Sequence, residues 1–260
     1  MMKFQENIPL KKYTTFKIGG SAKYFFVAKT KTSLVKAIQA AKKASLPFFI
    51  LGGGSNLLIS DEGYQGLIIK TGKPLSSYVS KGLEWAAGIP GTVEGAVWGN
   101  AGAFGKSMQD VVKKVEVFDI KDGKIKILNN KDCQFGYRDS IFKKNKNLII
   151  LSVKIKTRKS NLNKIKEYLN YRKDRQPLNL PSAGSVFKNP KNYSAGELIE
   201  KAGLRGKKIG GAQISNIHAN FIVNLNKATA QDVLSLIKLI KKTVYGKFKV
   251  KLREEIVILY

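Results

Sequence analysis

Three consecutive glycines directly after a short apolar segment constrain the fold more than any other feature of this sequence. Phe48-Phe49-Ile50-Leu51 is typical of a buried strand, and it continues into Gly52-Gly53-Gly54-Ser55-Asn56-Leu57, the first glycine segment. Adjacent glycines cost backbone entropy, so they indicate a backbone that adopts positive φ or approaches something closely. Their spacing fits neither the Rossmann fingerprint nor the Walker A pattern, which excludes both assignments.

A second glycine segment covers residues 88–105 and opens with Gly88-Ile89-Pro90-Gly91-Thr92. Its glycines lie among small and hydroxyl-bearing residues. Turns of this kind expose successive backbone N–H groups, which together form a concave site for an anion such as pyrophosphate. Each segment alone is equally well explained by tight turns in a β-rich domain. Two such segments in one chain favour a dinucleotide ligand.

The spacing of apolar residues predicts a mixture of strands and helices, and hence an α+β fold. Strands are predicted at residues 23–28, 48–51, 67–70, 115–120, 124–128, 148–156, 221–224 and 250–260, with a hairpin turn at 121–124. Helices are predicted at residues 33–44, 160–176, 198–202 and from Thr229 to a residue before Gly246. Ser194 and Thr229 have the spacing of helix-capping residues.

Composition excludes several classes of protein. With 43% hydrophobic residues the chain can form substantial cores, and it has neither a run of 18 apolar residues nor a segment like a signal peptide, so we expect a soluble, cytoplasmic protein. The single cysteine, Cys133, cannot form an intramolecular disulfide. Together with the single histidine, His218, it cannot complete an ordinary zinc site, so no bound metal is expected.

The chain is strongly basic, with 47 Lys and Arg against 18 Asp and Glu and a net charge of +29. Such a charge attracts polyanions and is compatible with a nucleic-acid-binding protein. The basic residues are spread along the whole chain, however, and most are lysines. This distribution favours a solvated, lysine-rich surface over a nucleic-acid partner, and it leaves open a site for phosphorylated ligands. No membrane partner is expected.

Six motifs, in order along nearly the whole chain, carry a resemblance to one family. They lie at residues 15–20, 51–58, 88–92, 137–142, 183–190 and 218–224. In sequence and order they closely resemble the UDP-N-acetylenolpyruvoylglucosamine reductases, flavoenzymes of bacterial peptidoglycan synthesis. One departure is Glu94, where the family usually has glycine. A carboxylate there would repel a pyrophosphate, so Glu94 must point away or the loop must differ locally.

The resemblance implies a two-lobed FAD-binding domain of the vanillyl-alcohol-oxidase type with a smaller α+β substrate-binding domain. The predicted parts are a first FAD-binding subdomain (residues 1–74, completed by a C-terminal strand at 248–260), a second one (75–178) and the substrate-binding domain (179–247). The resemblance also implies non-covalent FAD, NADPH as hydride donor, a UDP-sugar enolpyruvate as substrate, and a role in cell-wall synthesis. We expect a monomer.

The residues that would contact FAD follow from the same resemblance. They are Gly52, Gly53, Gly54, Ser55, Asn56 and Leu57 in the first glycine segment, and Gly88, Ile89, Pro90, Gly91, Thr92, Gly95, Ala96, Asn100, Ala101 and Gly102 in the second.

Three residues match the family's catalytic positions. Ser185 matches the proton donor, although a serine in this context is otherwise typical of a turn. Arg138 and Glu255 match the pair that stabilises negative charge on the substrate, a task for which a guanidinium is well shaped. Alternation along a C-terminal strand would instead bury Glu254, which stays an alternative to Glu255.

Lys188 and Asn189 resemble residues that contact the UDP-sugar, while His218 is expected to be a hydrogen-bonded structural residue. Arg138 and Ser185 are separated by 47 positions (185 − 138). This short gap favours the family's compact second type.

Two other functions are weighed against the reductase: an FAD oxidase of the same fold acting on another alcohol or sugar, and a basic nucleic-acid-binding protein. The position of His218 outside the glycine segments argues against covalent attachment of a flavin.

Overall fold

The computed structural model describes residues 2–260, and helices and strands are given for that part of the chain. The α-helices are α1 (Lys31–Lys43), α2 (Val93–Trp98), α3 (Ile141–Lys144), α4 (Leu162–Arg175), α5 (Ala195–Lys201) and α6 (Ala230–Phe248). The strands are β1 (Gln5–Pro9), β2 (Ser21–Val27), β3 (Phe48–Leu51), β4 (Leu57–Ile59), β5 (Tyr64–Lys70), β6 (Gly102–Ala103), β7 (Lys106–Ser107), β8 (Val112–Asp119), β9 (Lys124–Asn129), β10 (Leu148–Ile155), β11 (Ser182–Ser185), β12 (Lys208–Ile209), β13 (Ala212–Ile214), β14 (Phe221–Asn224) and β15 (Val257–Leu259). Short 3₁₀ helices cover Leu10–Tyr13, Leu75–Lys81, Glu84–Ala86, Met108–Asp110 and Asn130–Cys133.

The predicted α+β class is confirmed, and the helix starts follow the capping residues. The Thr229 hydroxyl accepts a hydrogen bond from the backbone N–H of Asp232, and the Asp232 carboxylate accepts one from Thr229. The Ser194 hydroxyl accepts a hydrogen bond from the N–H of Glu197 at the start of α5. These side chains satisfy N–H groups that have no partner inside the helix.

The predicted end of α6 is wrong, because the helix continues through Gly246 to Phe248. Phe248 packs against the same core as the buried Val244. A glycine inside a helix costs about 1 kcal/mol relative to alanine, and the packing of the following turn offsets this cost. The helix ends where Lys249 adopts a left-handed φ of 58°.

The strands form two larger sheets of four strands, in the orders β1-β2-β5-β3 and β11-β14-β13-β12, and a three-stranded sheet in the order β10-β8-β9. The predicted hairpin is confirmed, since β8 and β9 pair antiparallel around residues 120–123. In addition, β15 pairs with β4 in parallel, with Val257 opposite Leu57. This pairing joins the C-terminal segment to residues 57–59.

Two compact units make up the described chain. The first contains residues 2–4, Phe26–Gly53 and Ile68–Tyr171, and the second contains Gln5–Phe25, Gly54–Leu67 and Arg172–Tyr260. The core of the first unit includes Val97, Val115 and Phe142. The core of the second is built from α5, α6, β13 and β14 around Phe16. The finer division into three domains stays a prediction. Among residues 2–260 no helix has the length and apolar character needed to cross a bilayer.

Candidate active site

The two glycine segments contact each other inside the first unit. A Cβ atom added to Gly53 would overlap the backbone of Gly91, and one added to Gly52 would lie 2.6 Å from Oγ1 of Thr92. Gly91 also has a φ of 126°, a conformation that favours glycine. The close approach predicted from the three glycines is therefore real. At Gly52 and Gly53 the partner is the second glycine segment itself.

This contact leaves several backbone donors available to a ligand. The N–H groups of Gly53, Gly91 and Thr92 find no acceptor within residues 2–260. The N–H of Val93, by contrast, donates to the carbonyl of Lys73 at 2.9 Å. A cluster of unsatisfied N–H groups beside glycines fits an anionic group such as the pyrophosphate of a dinucleotide.

Part of the second glycine segment is helical, which the glycine content had obscured. Thr92 is the N-cap of α2, and its hydroxyl accepts a hydrogen bond from the N–H of Gly95 at 3.2 Å. Gly95 and Ala96 are therefore helical residues, and the N–H of Ala96 donates to the carbonyl of Thr92. Sequence reasoning missed α2, although Thr92 followed by Glu94 and Gly95 carried a capping signal.

Glu94, the departure from the family pattern, has a partner in its own unit. Its Oε2 atom accepts a hydrogen bond from the backbone N–H of Lys73 at 2.9 Å. The carboxylate is therefore oriented by the turn at Gly72 and Lys73, which lies next to Thr92.

Asn100 links the second glycine segment to the turn that carries Arg138. Its side chain is 3% exposed and donates to the carbonyl of Gly136 at 2.7 Å, while its Oδ1 atom accepts from the N–H of Gln109 at 3.0 Å. The amide is thus directed into the protein. Like Thr92 and Asn56, Asn100 is predicted to contact FAD and has a side chain that makes a structural hydrogen bond.

Arg138 lies in a tight turn in which the N–H of Gly136 donates to the carbonyl of Asp139 and the N–H of Asp139 donates back. Its φ is 53°, a left-handed conformation that costs a non-glycine residue roughly 1–2 kcal/mol. The Nη2 atom donates to the carbonyl of Gly102 at 2.8 Å, and the Arg138 carbonyl accepts from Nζ of Lys143 at 2.8 Å. These contacts hold the half-buried guanidinium against the predicted flavin segment.

Ser185 is half-buried at the end of β11, directly after a β-bulge. β11 pairs with β14 at Ser182 and Val223 and again at Ser185 and Phe221, so β11 carries one extra residue. Gly184 lies in the bulge with a φ of 75°. The Ser185 hydroxyl has no hydrogen-bond partner among the described residues. It is therefore free to interact with a bound molecule.

Glu255 is joined to the segment that carries Ser185. Its N–H donates to the carbonyl of Val186 at 2.7 Å, and its own carbonyl accepts from Nδ2 of Asn56 at 3.1 Å. Two hydrogen bonds thus connect Glu255 with the residue after Ser185 and with the first glycine segment.

Glu254 has a different environment, because its Oε1 atom lies 2.8 Å from Nζ of Lys241 on α6. The predicted strand over 250–260 is present but is shorter than expected. Only Val257–Leu259 is a strand, Glu254 forms an isolated bridge with Phe187, and the chain bends at Ile256. Strand alternation therefore does not apply at Glu254.

The two predicted substrate-binding residues follow the same segment. Lys188 is half-buried, and its N–H donates to the carbonyl of Arg253 at 2.9 Å. Asn189 is exposed, and its Oδ1 atom accepts from the N–H of Ala195 at the start of α5, at 3.0 Å. The Asn189 side chain thus has a local structural contact in addition to any contact with a ligand.

His218 is hydrogen-bonded, as expected. Its Nδ1 atom accepts from the N–H of Asn220 at 3.2 Å, and its ring packs against Phe221 with centroids 4.9 Å apart. Burial lowers the pKa of His218, with the positive charge of Arg205 acting in the same direction. A neutral imidazole is the form that can accept this hydrogen bond.

The structure divides the predicted residues between the two units. Gly52, Gly53, the second glycine segment and Arg138 are in the first, while residues 54–57, Ser185, Lys188, Asn189 and Glu255 are in the second. Within each unit, predicted residues that are distant in sequence lie close together. Asn220 belongs to the motif at 218–224, but its side-chain hydrogen bonds to the Phe187 backbone were not predicted from the sequence.

The fold of this chain is that of a solved enzyme. The solved UDP-N-acetylenolpyruvylglucosamine reductase from Thermus caldophilus matches this structure with a TM-score of 0.84 and 33% sequence identity, covering all of both chains. The chain is thus an α+β oxidoreductase with the fold of that enzyme.

Sequence relatives then identify the family. The UDP-N-acetylenolpyruvoylglucosamine reductase of Caldanaerobacter subterraneus subsp. tengcongensis is 44% identical over 96% of this chain and 91% of its own length, and that of Clostridioides difficile is 41% identical over the same shares. Residues 176–259 match the model of the C-terminal domain of UDP-N-acetylenolpyruvoylglucosamine reductase. The chain belongs to the UDP-N-acetylenolpyruvoylglucosamine reductase family.

Proposed function

We propose that this protein reduces the enolpyruvyl group of UDP-N-acetylglucosamine enolpyruvate to give UDP-N-acetylmuramate, with FAD as cofactor and NADPH as hydride donor. Family membership supports the reaction class and implies a flavin. One hydrogen bond supports this assignment of residues most directly, the one from the Glu255 N–H to the Val186 carbonyl. It joins the segment of Glu255, the proposed charge-stabilising residue, to the segment of Ser185, the proposed proton donor.

The chain has a suitable set of groups for FAD. The unsatisfied N–H groups of Gly53, Gly91 and Thr92 would bind the pyrophosphate, since they are preorganised donors beside glycines that leave room for a close approach. When bound, FAD supplies the hydride chemistry that no amino-acid side chain can perform. The protein must orient the substrate, stabilise charge and deliver a proton.

Ser185 delivers that proton in the proposed mechanism. Reduction at the methylene carbon leaves negative charge on the neighbouring carbon and its carboxylate, and the Ser185 Oγ–H transfers its proton to that carbon. A hydroxyl is a weak acid, so it serves only where the accepting carbon is strongly basic. The absence of an internal partner within the described chain leaves the Ser185 hydroxyl available for this transfer.

Arg138 and Glu255 stabilise the charge. The guanidinium of Arg138 is preorganised by the Gly102 carbonyl and by its left-handed backbone, so little reorganisation is needed as charge develops on the substrate carboxylate. Glu255 contributes only when it is protonated or shares a proton, because an ionised Glu255 side chain would repel the substrate carboxylate. Lys188 and Asn189 are assigned to the UDP-sugar.

The experiment is a spectroscopic assay of the two half-reactions in the purified chain. We expect a yellow protein whose flavin is released into the supernatant by acid precipitation, bleached by NADPH without oxygen, and reoxidised by the enolpyruvyl substrate. Flavin retained in the pellet, with reoxidation by oxygen alone, would support an oxidase of the same fold. A colourless protein with salt-sensitive DNA binding would support the nucleic-acid alternative.

A further inference from the structure

Asn220 lies directly before β14 and contacts the two residues that follow Ser185. It is 4% exposed. Its Oδ1 atom accepts from the N–H of Phe187 at 3.0 Å, and its Nδ2 atom donates to the carbonyl of Phe187 at 2.8 Å. Its backbone carbonyl also accepts from the N–H of Val186 at 2.8 Å. One buried residue therefore satisfies three backbone groups next to the proposed proton donor.

These contacts hold the chain beyond the C-terminal end of β11, where the backbone pairing with β14 stops. β11 carries an extra residue before Ser185 and ends at Ser185, and the bond from the Val186 N–H to the Asn220 carbonyl continues its pairing by one residue. The side-chain amide of Asn220, with one donor and one acceptor, acts as a strand neighbour for Phe187. On its other side, the same segment is held by the hydrogen bond from Glu255 to Val186.

The orientation of Asn220 is itself constrained. Its N–H donates to Nδ1 of His218, and the following residue, Phe221, packs against the His218 ring. Both the backbone of Asn220 and its side chain, which bonds the N–H and the carbonyl of Phe187, are therefore held in place. A shift of Asn220 would be transmitted to Val186 and Phe187, and from there to Ser185.

We infer that Asn220 is a positioning residue that fixes the Ser185 hydroxyl for proton delivery, an inference that rests on the proposed function. It does not touch the reacting atoms. Its effect should therefore be confined to the step that uses Ser185, because a displacement of about 1 Å at a reacting group can slow a step about 100-fold without altering earlier steps.

The test uses the flavin-containing protein and rapid mixing. In Asn220→Ala we expect flavin reduction by NADPH to keep its rate, whereas reoxidation by the enolpyruvyl substrate falls about 100-fold. Asn224→Ala is the matched control. Asn224 lies at the other end of β14, is 7% exposed, and donates to the carbonyl of Phe16 at 3.2 Å. It has no hydrogen bond to residues 185–187, so both rates should persist.

A double variant separates positioning from general destabilisation. If Asn220 acts through Ser185, Ser185→Ala/Asn220→Ala should reoxidise no more slowly than Ser185→Ala alone. Multiplied losses in the double variant, or equal slowing of both half-reactions in Asn220→Ala, would overturn the inference.

A second variant covers the case in which Asn220→Ala does not fold. Asn220→Asp keeps the acceptor for the N–H of Phe187 and loses the donor to its carbonyl, and the same selective loss is expected. Retention of the full reoxidation rate in Asn220→Asp would contradict the inference. Failure of the unaltered protein to be reoxidised by the substrate would instead refute the proposed function.

Discussion

The carboxylate of Glu254 lies 2.8 Å from the ammonium group of Lys241, whereas the neighbouring Glu255 is tied through its backbone to Val186 and Asn56. The two adjacent glutamates therefore have different environments. The Glu254 carboxylate has a cationic partner on α6, while the backbone of Glu255 is hydrogen-bonded to the segment that carries Ser185.

Replacement of each glutamate by glutamine tests this difference. Glu255→Gln should abolish most turnover with little change in thermal stability, because it removes the ionisable group and keeps the size of the side chain. Glu254→Gln should leave turnover nearly intact and cost about 0–1 kcal/mol of stability, as is usual for a partly exposed ion pair. Steady-state turnover and thermal melting of both variants show which glutamate is needed for turnover. The reverse pattern would move the charge-stabilising role to Glu254.

Ser185→Ala should separate the half-reactions. Loss of general acid catalysis slows a step by roughly 100- to 10,000-fold, so we expect reoxidation by the substrate to fall by that factor and reduction by NADPH to persist. Ser182→Ala is the control on the same strand. The hydrogen bond from the Thr15 hydroxyl is accepted by the backbone carbonyl of Ser182, so the substitution leaves this bond in place. Equal slowing of both half-reactions in Ser185→Ala would indicate a structural role for Ser185.

Gly53→Ala should disturb flavin binding through the contact of the two glycine segments. The added Cβ would overlap the backbone of Gly91, and overpacking of this kind costs typically about 1–3 kcal/mol. We expect a lower melting temperature and loss of bound flavin, measured by the ratio of visible to ultraviolet absorbance. In Gly99→Ala the new Cβ would meet only the Gly95 carbonyl at 3.6 Å, an ordinary contact, and flavin should be retained. Full flavin content in Gly53→Ala would show that the segments can separate without loss of the site.

The thiol of Cys133 should be unreactive in the folded protein. It is fully buried, and burial, together with the charge of Asp132, raises its pKa to about 11. Since the thiolate is the reactive form, alkylation should be very slow near neutral pH and become fast only after unfolding. Labelling by iodoacetamide, followed by mass spectrometry with and without denaturant, checks this. Rapid labelling of the folded chain at neutral pH would contradict the buried environment of Cys133.

Much of the local structure could be predicted from the order of the residues alone. Thr229 and Ser194 predicted the starts of two helices because capping is a local interaction within one turn. The β8–β9 hairpin was predicted for the same reason, since its turn connects adjacent strands. The family motifs predicted the fold and the class of reaction correctly, because a reaction requires particular side chains in a particular order, whereas the site residues that they imply stay predictions.

The way in which those residues are held depends on contacts that form only when the chain folds. Several contacts join segments that are distant along the chain or depend on a bend or bulge. They are the contact between Gly53 and Gly91, the hydrogen bond from the Asn100 amide to Gly136, the ion pair of Glu254 with Lys241, and the three hydrogen bonds of Asn220 with Val186 and Phe187. Alternation within a strand failed at Glu254 because the chain leaves the strand conformation before it reaches β15. Periodicity describes regular backbone, whereas a bulge or a bend is selected by the hydrogen-bonding partners that folding brings into reach.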